Sequence, residues 1–204
     1  MESKNYLQDI SDIKTLMNKS SRFISLSGLS GILAGVYALI GASIAYYLVS
    51  NSVRGYLILD GTIFKICAAI LIGVAFLSIA TGIYLTTKKA HKNGEKIWDS
   101  SSKRLLFNFL TPLVTGGIYI LIILNQERYG HTAALMLIFY GLALINASKY
   151  SLGDIRYLGF TELILGLICA LFPSYGFWFW VIGFGFMHII YGAIMHYKYD
   201  SIQS

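Results

Sequence analysis

Read for hydrophobic and polar positions, the chain is a series of six long apolar runs separated by polar connections. They fall at about 23–49, 62–87, 105–124, 132–148, 156–173 and 177–196. A helix needs about 20 apolar residues to cross the hydrocarbon core of a bilayer, so the pattern predicts six membrane-spanning helices. The first run is long, which favours tilt or a start in the headgroup layer. The fourth and fifth sit near the lower limit. Ahead of them, Tyr6, Ile10, Ile13 and Met17 recur at helical spacing with Leu7 and Leu16 beside them. Gln8, Asp9, Asp12, Lys14, Asn18 and Lys19 fill the other face. The expected organisation is a cytoplasmic amphipathic helix within 1–22, a bundle over 23–196 and a cytoplasmic tail over 197–204. Membrane-surface helices are usually rich in Lys and Arg. This one is charge-mixed and could equally dock on its own bundle, on a second copy or on a soluble partner; the bundle or a second copy ranks slightly ahead of lying on the membrane.

Composition agrees. Of 204 residues, 56% are hydrophobic and 13% charged, against about 25% charged in an average soluble domain. The net charge of +6 could suggest nucleic acid, but the basic residues lie between the apolar runs, where they act as topology signals. Thirteen of the sixteen Lys and Arg fall on one side of the six-run threading; Arg54, Lys65 and Arg128 fall on the other. The positive-inside rule then places both termini and the basic loop 88–104 in the cytoplasm. The acidic start MESKNYLQDISDIK is no cleavable signal peptide. Tyr46, Tyr47, Trp178 and Trp180 mark the outer interface, and Tyr150, Tyr157, Tyr197 and Tyr199 the inner one.

Runs two and six align at a fixed offset. Ile72, Gly73, Phe76, Ile79, Gly82 and Lys88 meet Ile182, Gly183, Phe186, Ile189, Gly192 and Lys198. Tyr140 and Gly141 of run four match Tyr191 and Gly192. Three weakly similar hairpins, related as parallel repeats, would produce this pattern; so would chance matching within a small apolar alphabet. Ser27, Gly31 and Gly35 form a small-residue ridge in run one that lets another helix approach closely, within the bundle in preference to a dimer seam.

The candidate chemistry is sparse. Glu162 lies six residues past Arg156, about 9 Å along a helix axis, where a carboxylate is costly unless paired, protonated or wet. His188 lies ten residues before Lys198, about 15 Å in. The tight turn Pro173–Ser174–Tyr175–Gly176 makes runs five and six antiparallel neighbours, so the two side chains differ in depth by about one helical turn. Pro112 has no N–H to bond the carbonyl of Asn108, which predicts a kink with a free carbonyl. Asn146, Ser78 and Thr81 carry polar groups at similar depth. Glu162, His188, Asn108, Asn146, Ser78 and Thr81 therefore outline a polar cavity open to the cytoplasm, or a set of cross-helix bonds that hold the bundle together.

Cys67 and Cys169 lie inside apolar runs as small packing residues. No metal spacing, phosphate loop or nucleophile motif is present. The expectation is no cofactor and no metal.

The stretches SSRFISLSGLSGILAGVYALIGA (20–42), IFYGLALINASKYSLGDIRYLG (138–159) and FMHIIYGAIMHYKY (186–199) resemble an uncharacterised family of six-span bacterial integral membrane proteins. The resemblance covers most of the chain. It implies an all-α bundle in the bacterial inner membrane and carries no activity with it. The functional expectation is non-enzymatic: a small transport or ligand-sensing bundle with a cytoplasm-facing polar cavity. The alternative is an accessory or scaffold protein that binds a partner through helix 5–20 and the loop 88–104. An intramembrane enzyme ranks behind both. The partners expected are the lipid bilayer and a second copy or another protein, not nucleic acid.

Overall fold

The computed structural model describes Ile10 and residues 27–51, 61–94, 97–151 and 154–200. The expected amphipathic helix lies outside these residues apart from Ile10, as does the end of the tail, 201–204. The described chain is all-helical, with no strand. In order it forms α1 (Gly28–Ser50), α2 (Thr62–Lys92), α3 (Ser100–Asn125), α4 (Thr132–Ala147), α5 (Ile155–Leu171) and a final rod, α6 (Pro173–Tyr199). Five of these, counting α4 with its one-turn extension to Tyr150, are long and apolar enough to cross a membrane. They mark the chain as a membrane protein.

The sixth, α5, has 17 residues, about 25 Å at 1.5 Å per residue against a core of about 30 Å. Its far end is set by Pro173. The residue before a proline is pushed out of the helical region, and Phe172 sits at φ −125°, ψ 64°.

Helix ends follow local chemistry more than hydropathy. The apolar pattern predicts that the second helix stops near 87, yet α2 runs on through the polar residues to Lys92. A helix leaving lipid needs no apolar residues to continue. It ends where Gly94 turns at φ 66° and donates its N–H to the carbonyl of His91, the left-handed cap that glycine adopts freely. Asp99 starts α3. Its carboxylate accepts from the Ser102 backbone N–H at 2.7 Å and from the Ser102 hydroxyl at 2.8 Å, satisfying a donor that an uncapped helix leaves bare.

Two close crossings organise the bundle. Where α4 meets α5, a Cβ on Gly141 would stand 2.6 Å from the Gly159 carbonyl oxygen, and one on Gly159 would stand 2.8 Å from that of Gly141. Where α1 meets α6, a Cβ on Gly35 would stand 2.6 Å from the Gly185 carbonyl oxygen, and one on Gly31 would stand 3.2 Å from Gly192 Cα. Only glycine lets the backbones come this near. Gly31 and Gly35 thus face another helix of the same chain. Ser27 lies just before the crossing, at the start of α1, with no capping bond from its own side chain.

Around these crossings, α2 packs on α1 and α3 on α4, while α6 bridges α1 to α4 and α5. The tightest core is Ala134, Leu137 and Cys169, covered by Phe179 and Phe184. The outer helix α2 leaves Ile72, Phe76, Ile79 and Ile83 exposed at helical spacing, a stripe suited to lipid. Its Gly73 and Gly82 have open space around them, whereas their offset partners Gly183 and Gly192 are tightly packed. The shared pattern therefore occupies different environments, because α2 has one close neighbour and α6 has three.

A buried carboxyl, imidazole and phenol as the candidate functional site

The antiparallel pairing of α5 and α6 brings Glu162 and His188 together. Glu162 is 0% exposed and His188 7%. His188 Nδ1 lies 3.5 Å from Glu162 Oε1 and 3.0 Å from the Gly183 carbonyl oxygen. On the other side of the ring, Nε2 lies 2.8 Å from the Tyr140 hydroxyl. A carbonyl can only accept, so Nδ1 carries a proton toward Gly183; in the neutral ring Nε2 then accepts from Tyr140. Both ring nitrogens are satisfied without Glu162. The carboxyl is not: neither of its oxygens has a hydrogen-bond partner in the protein.

The backbone of α6 makes room for this group. Its middle, Val181–Met187, is a π-helical segment between α-helical flanks. Gly183 and Gly185 lie inside it, and glycine is a weak helix former that adapts to such wide turns. A Cβ on Gly183 would stand 2.5 Å from Glu162 Oε2 and 2.5 Å from Leu137 Cδ2. The missing side chain is the space that the carboxyl fills. π-Turns recur at functional sites because they re-aim side chains.

An aromatic wall holds the imidazole. Tyr140 stacks on His188 at 5.3 Å between centroids, and Phe184 stacks on its ring at 5.8 Å. Phe184 in turn touches Tyr140 at 5.1 Å and Trp180 at 5.2 Å, and Phe109 meets Tyr140 edge-on at 6.1 Å. One turn beyond His188, the Tyr191 hydroxyl is buried and has no hydrogen bond to the protein.

The remaining sequence-predicted residues fall elsewhere. Asn108 turns its amide back to the Arg104 carbonyl at 2.8 Å. Its own carbonyl, freed by Pro112, accepts from Asn146 Nδ2 at 3.2 Å. Lys149 Nζ reaches Asn146 Oδ1 at 3.5 Å. Asn108, Pro112 and Asn146 therefore form a cross-helix tie between α3 and α4. Ser78 bonds the Val74 carbonyl of its own helix at 2.8 Å, and Thr81 meets the Tyr37 hydroxyl of α1 at 3.3 Å. Depth along a helix set this grouping; direction around the axis separates its members. Cys169 is fully buried in the apolar core and Cys67 is half-buried.

At the basic end, Asp154 links the start of α5 to the end of α6. Its Oδ2 accepts from Lys198 Nζ at 2.5 Å and from the Tyr199 hydroxyl at 2.8 Å. The Lys198 bond holds the Asp154 carboxyl below the usual aspartate range; partial burial opposes this, and the Tyr199 hydroxyl adds to the lowering.

Three residues of this site stand outside the sequence-predicted set: Tyr140, Gly183 and Tyr191. Comparison with protein-family models, curated proteins and solved structures finds no significant match.

Proposed function

We propose that this chain is a six-span protein of the bacterial inner membrane, with both termini in the cytoplasm, akin to the bacterial family its sequence resembles. Its role is small-molecule transport or ligand sensing, without catalysis, and its ligand enters from the cytoplasmic side. The excess of basic residues on one side of the threading supports the orientation. The single observation that carries the function is Glu162, fully buried with both oxygens unpartnered. Ionisable groups within membrane helices are expensive and concentrate on substrate and ion pathways. A buried carboxyl without a hydrogen-bond donor costs stability, which supports a role in binding for Glu162.

The test is a thermal-shift screen of the purified full chain against polar metabolites, with Glu162→Gln alongside. A ligand that binds the folded state raises its melting temperature. Compounds that stabilise the wild type and leave Glu162→Gln unmoved support the site, provided the variant inserts and melts like the wild type. Compounds that shift both proteins equally place binding elsewhere and overturn the assignment.

A further inference from the structure

We propose that the corner where the start of α3 meets the end of α4 holds the headgroup of an anionic phospholipid, whose acyl chain lies along the outer face of α3. This corner is separate from Glu162 and independent of what binds there. A chain of hydrogen bonds draws its polar half together. Asn108 Nδ2 donates to the Arg104 carbonyl at 2.8 Å. The Asn108 carbonyl accepts from Asn146 Nδ2 at 3.2 Å, and Lys149 Nζ donates to Asn146 Oδ1 at 3.5 Å. These bonds tie the turn of α3 that carries Arg104 to the end of α4 that carries Lys149. Lys103 precedes Arg104, and all three basic residues are exposed.

The positive charge here has no counter-charge in the fold. Asp99, one turn before Lys103, spends its carboxylate on the Ser102 backbone N–H and hydroxyl. Asp154, just past the end of α4, spends its own on Lys198 and Tyr199. Among the described residues no carboxylate forms an ion pair with Lys103, Arg104 or Lys149. Other cations at this end are differently placed: Lys198 is paired with Asp154, and the Arg156 guanidinium lies over the Tyr157 ring at 5.0 Å. An anion at the α3–α4 corner therefore meets three cations that no acid of the described chain neutralises.

The apolar half continues from the same residues. Lys103, Phe107, Leu110, Val114, Ile118 and Leu121 follow at intervals of four, three, four, four and three, which places them along one face of α3. The five apolar members are exposed, while α3 meets α4 through another face, where a Cβ on Gly116 would stand 2.3 Å from the Phe139 ring. From Phe107 to Leu121 the stripe runs about 21 Å, more than the roughly 15 Å of hydrocarbon in one leaflet. Inorganic phosphate would use the cations alone. The apolar face that starts one turn beneath them selects a molecule with a charged head and a hydrocarbon tail, and the bilayer supplies it. Basic clusters at the ends of membrane helices attract anionic lipids in just this way.

The experiment is native mass spectrometry of the full chain in neutral detergent, titrated with palmitoyl-oleoyl phosphatidylglycerol or with the phosphatidylcholine of the same chains. The wild type is expected to bind phosphatidylglycerol at least 10-fold more tightly. A basic residue beside an anionic headgroup is worth about fivefold in binding, so Arg104→Gln with Lys149→Gln should weaken it about 30-fold. Glutamine at 149 keeps a donor for Asn146, and the Arg104 carbonyl is backbone, so the helix tie persists; an unchanged melting temperature checks this. Lys103→Gln, whose side chain bonds to no described residue, should weaken binding about fivefold by itself. A matched control, Lys88→Gln with Arg156→Gln, removes the same charge near the end of α2 and the start of α5 and should change binding less than threefold. Equal loss in the two double variants would mean diffuse attraction to the basic end. Equal retention of the two lipids would mean apolar contact alone, and displacement by free glycerol phosphate at the lipid's concentration would mean an anion site without a tail. An unaltered affinity in Lys103→Gln would remove that side chain from the site. Any of these results overturns the proposal.

Discussion

Replacing Glu162 with methionine is expected to make the bundle more stable while removing its ligand response. The carboxyl is fully enclosed and neither oxygen meets a protein donor. A buried polar group left unsatisfied costs about 1–3 kcal/mol, and more when charged. The nearest counter-group, His188 Nδ1 at 3.5 Å, is already committed to the Gly183 carbonyl at 3.0 Å, and Nε2 to Tyr140 at 2.8 Å. The imidazole therefore loses no hydrogen bond when the carboxyl leaves. Methionine has a similar length and a flexible thioether that fills irregular gaps, so repacking should cost less than about 1.5 kcal/mol. The expected balance is stabilisation of about 1 kcal/mol or slightly more. Reversible unfolding in mixed micelles can be followed through tryptophan fluorescence, because Trp180 packs on Phe184 at the edge of the site. Destabilisation by more than about 1 kcal/mol, on the scale of ordinary damaging substitutions, would refute the reasoning. It would make Glu162 a structural partner of His188.

Three further outcomes follow from the packing. A Cβ at Gly159 would stand 2.8 Å from the Gly141 carbonyl oxygen and 2.9 Å from Ile145 N, backbone atoms with little freedom to yield; Gly159→Val should cost about 1–3 kcal/mol in the same unfolding assay. Asn146→Ala should cost about 0.6 kcal/mol, the average for a cross-helix bond in a membrane bundle, and close to nothing in a Pro112→Ala background, where the restored N–H at 112 takes the Asn108 carbonyl. The folded-state pKa of Asp154 is lowered, first by Lys198, so its tether is intact above the ordinary aspartate value of about 3.9 and is lost as pH falls through the lower folded value. Hydrogen exchange of amides 196–200 should quicken only in that acid window, and Lys198→Ala should move the onset to higher pH.

Much of this site is visible in the residues themselves. Arg156 and Lys198 mark the basic end, and counting inward from them places Glu162 and His188 at matching depth. The Pro173 turn makes their helices neighbours. The missing N–H of Pro112 likewise announces a free carbonyl on Asn108. Three things escape such counting. Tyr140 sits in the apolar run IFYGLA and looks like one more interfacial or packing aromatic; its signal is a phenol lying nine residues inside Lys149, about 13 Å deep, where the hydroxyl needs a partner. The π-helical turn over Val181–Met187 depends on what packs against Gly183 and Gly185, and that is tertiary information. Ser78 and Thr81 share the depth of Glu162 but point toward α1 or back along their own helix, because depth says nothing of azimuth. The helices of the described bundle are legible from hydropathy, while the polar ends of α2 and α6 outrun it because helices persist beyond lipid.

The most direct test of the central claim, a functional carboxyl sunk in the bundle and reached from the cytoplasmic side, is thiol labelling at position 162. Glu162→Cys would be made in a chain with Cys67 and Cys169 changed to serine. Sealed vesicles of each orientation would then meet a membrane-impermeant maleimide. The account expects slow labelling only where the cytoplasmic face is exposed, slowed further by any ligand found in the thermal screen. Labelling from the opposite face, or none from either, would contradict it.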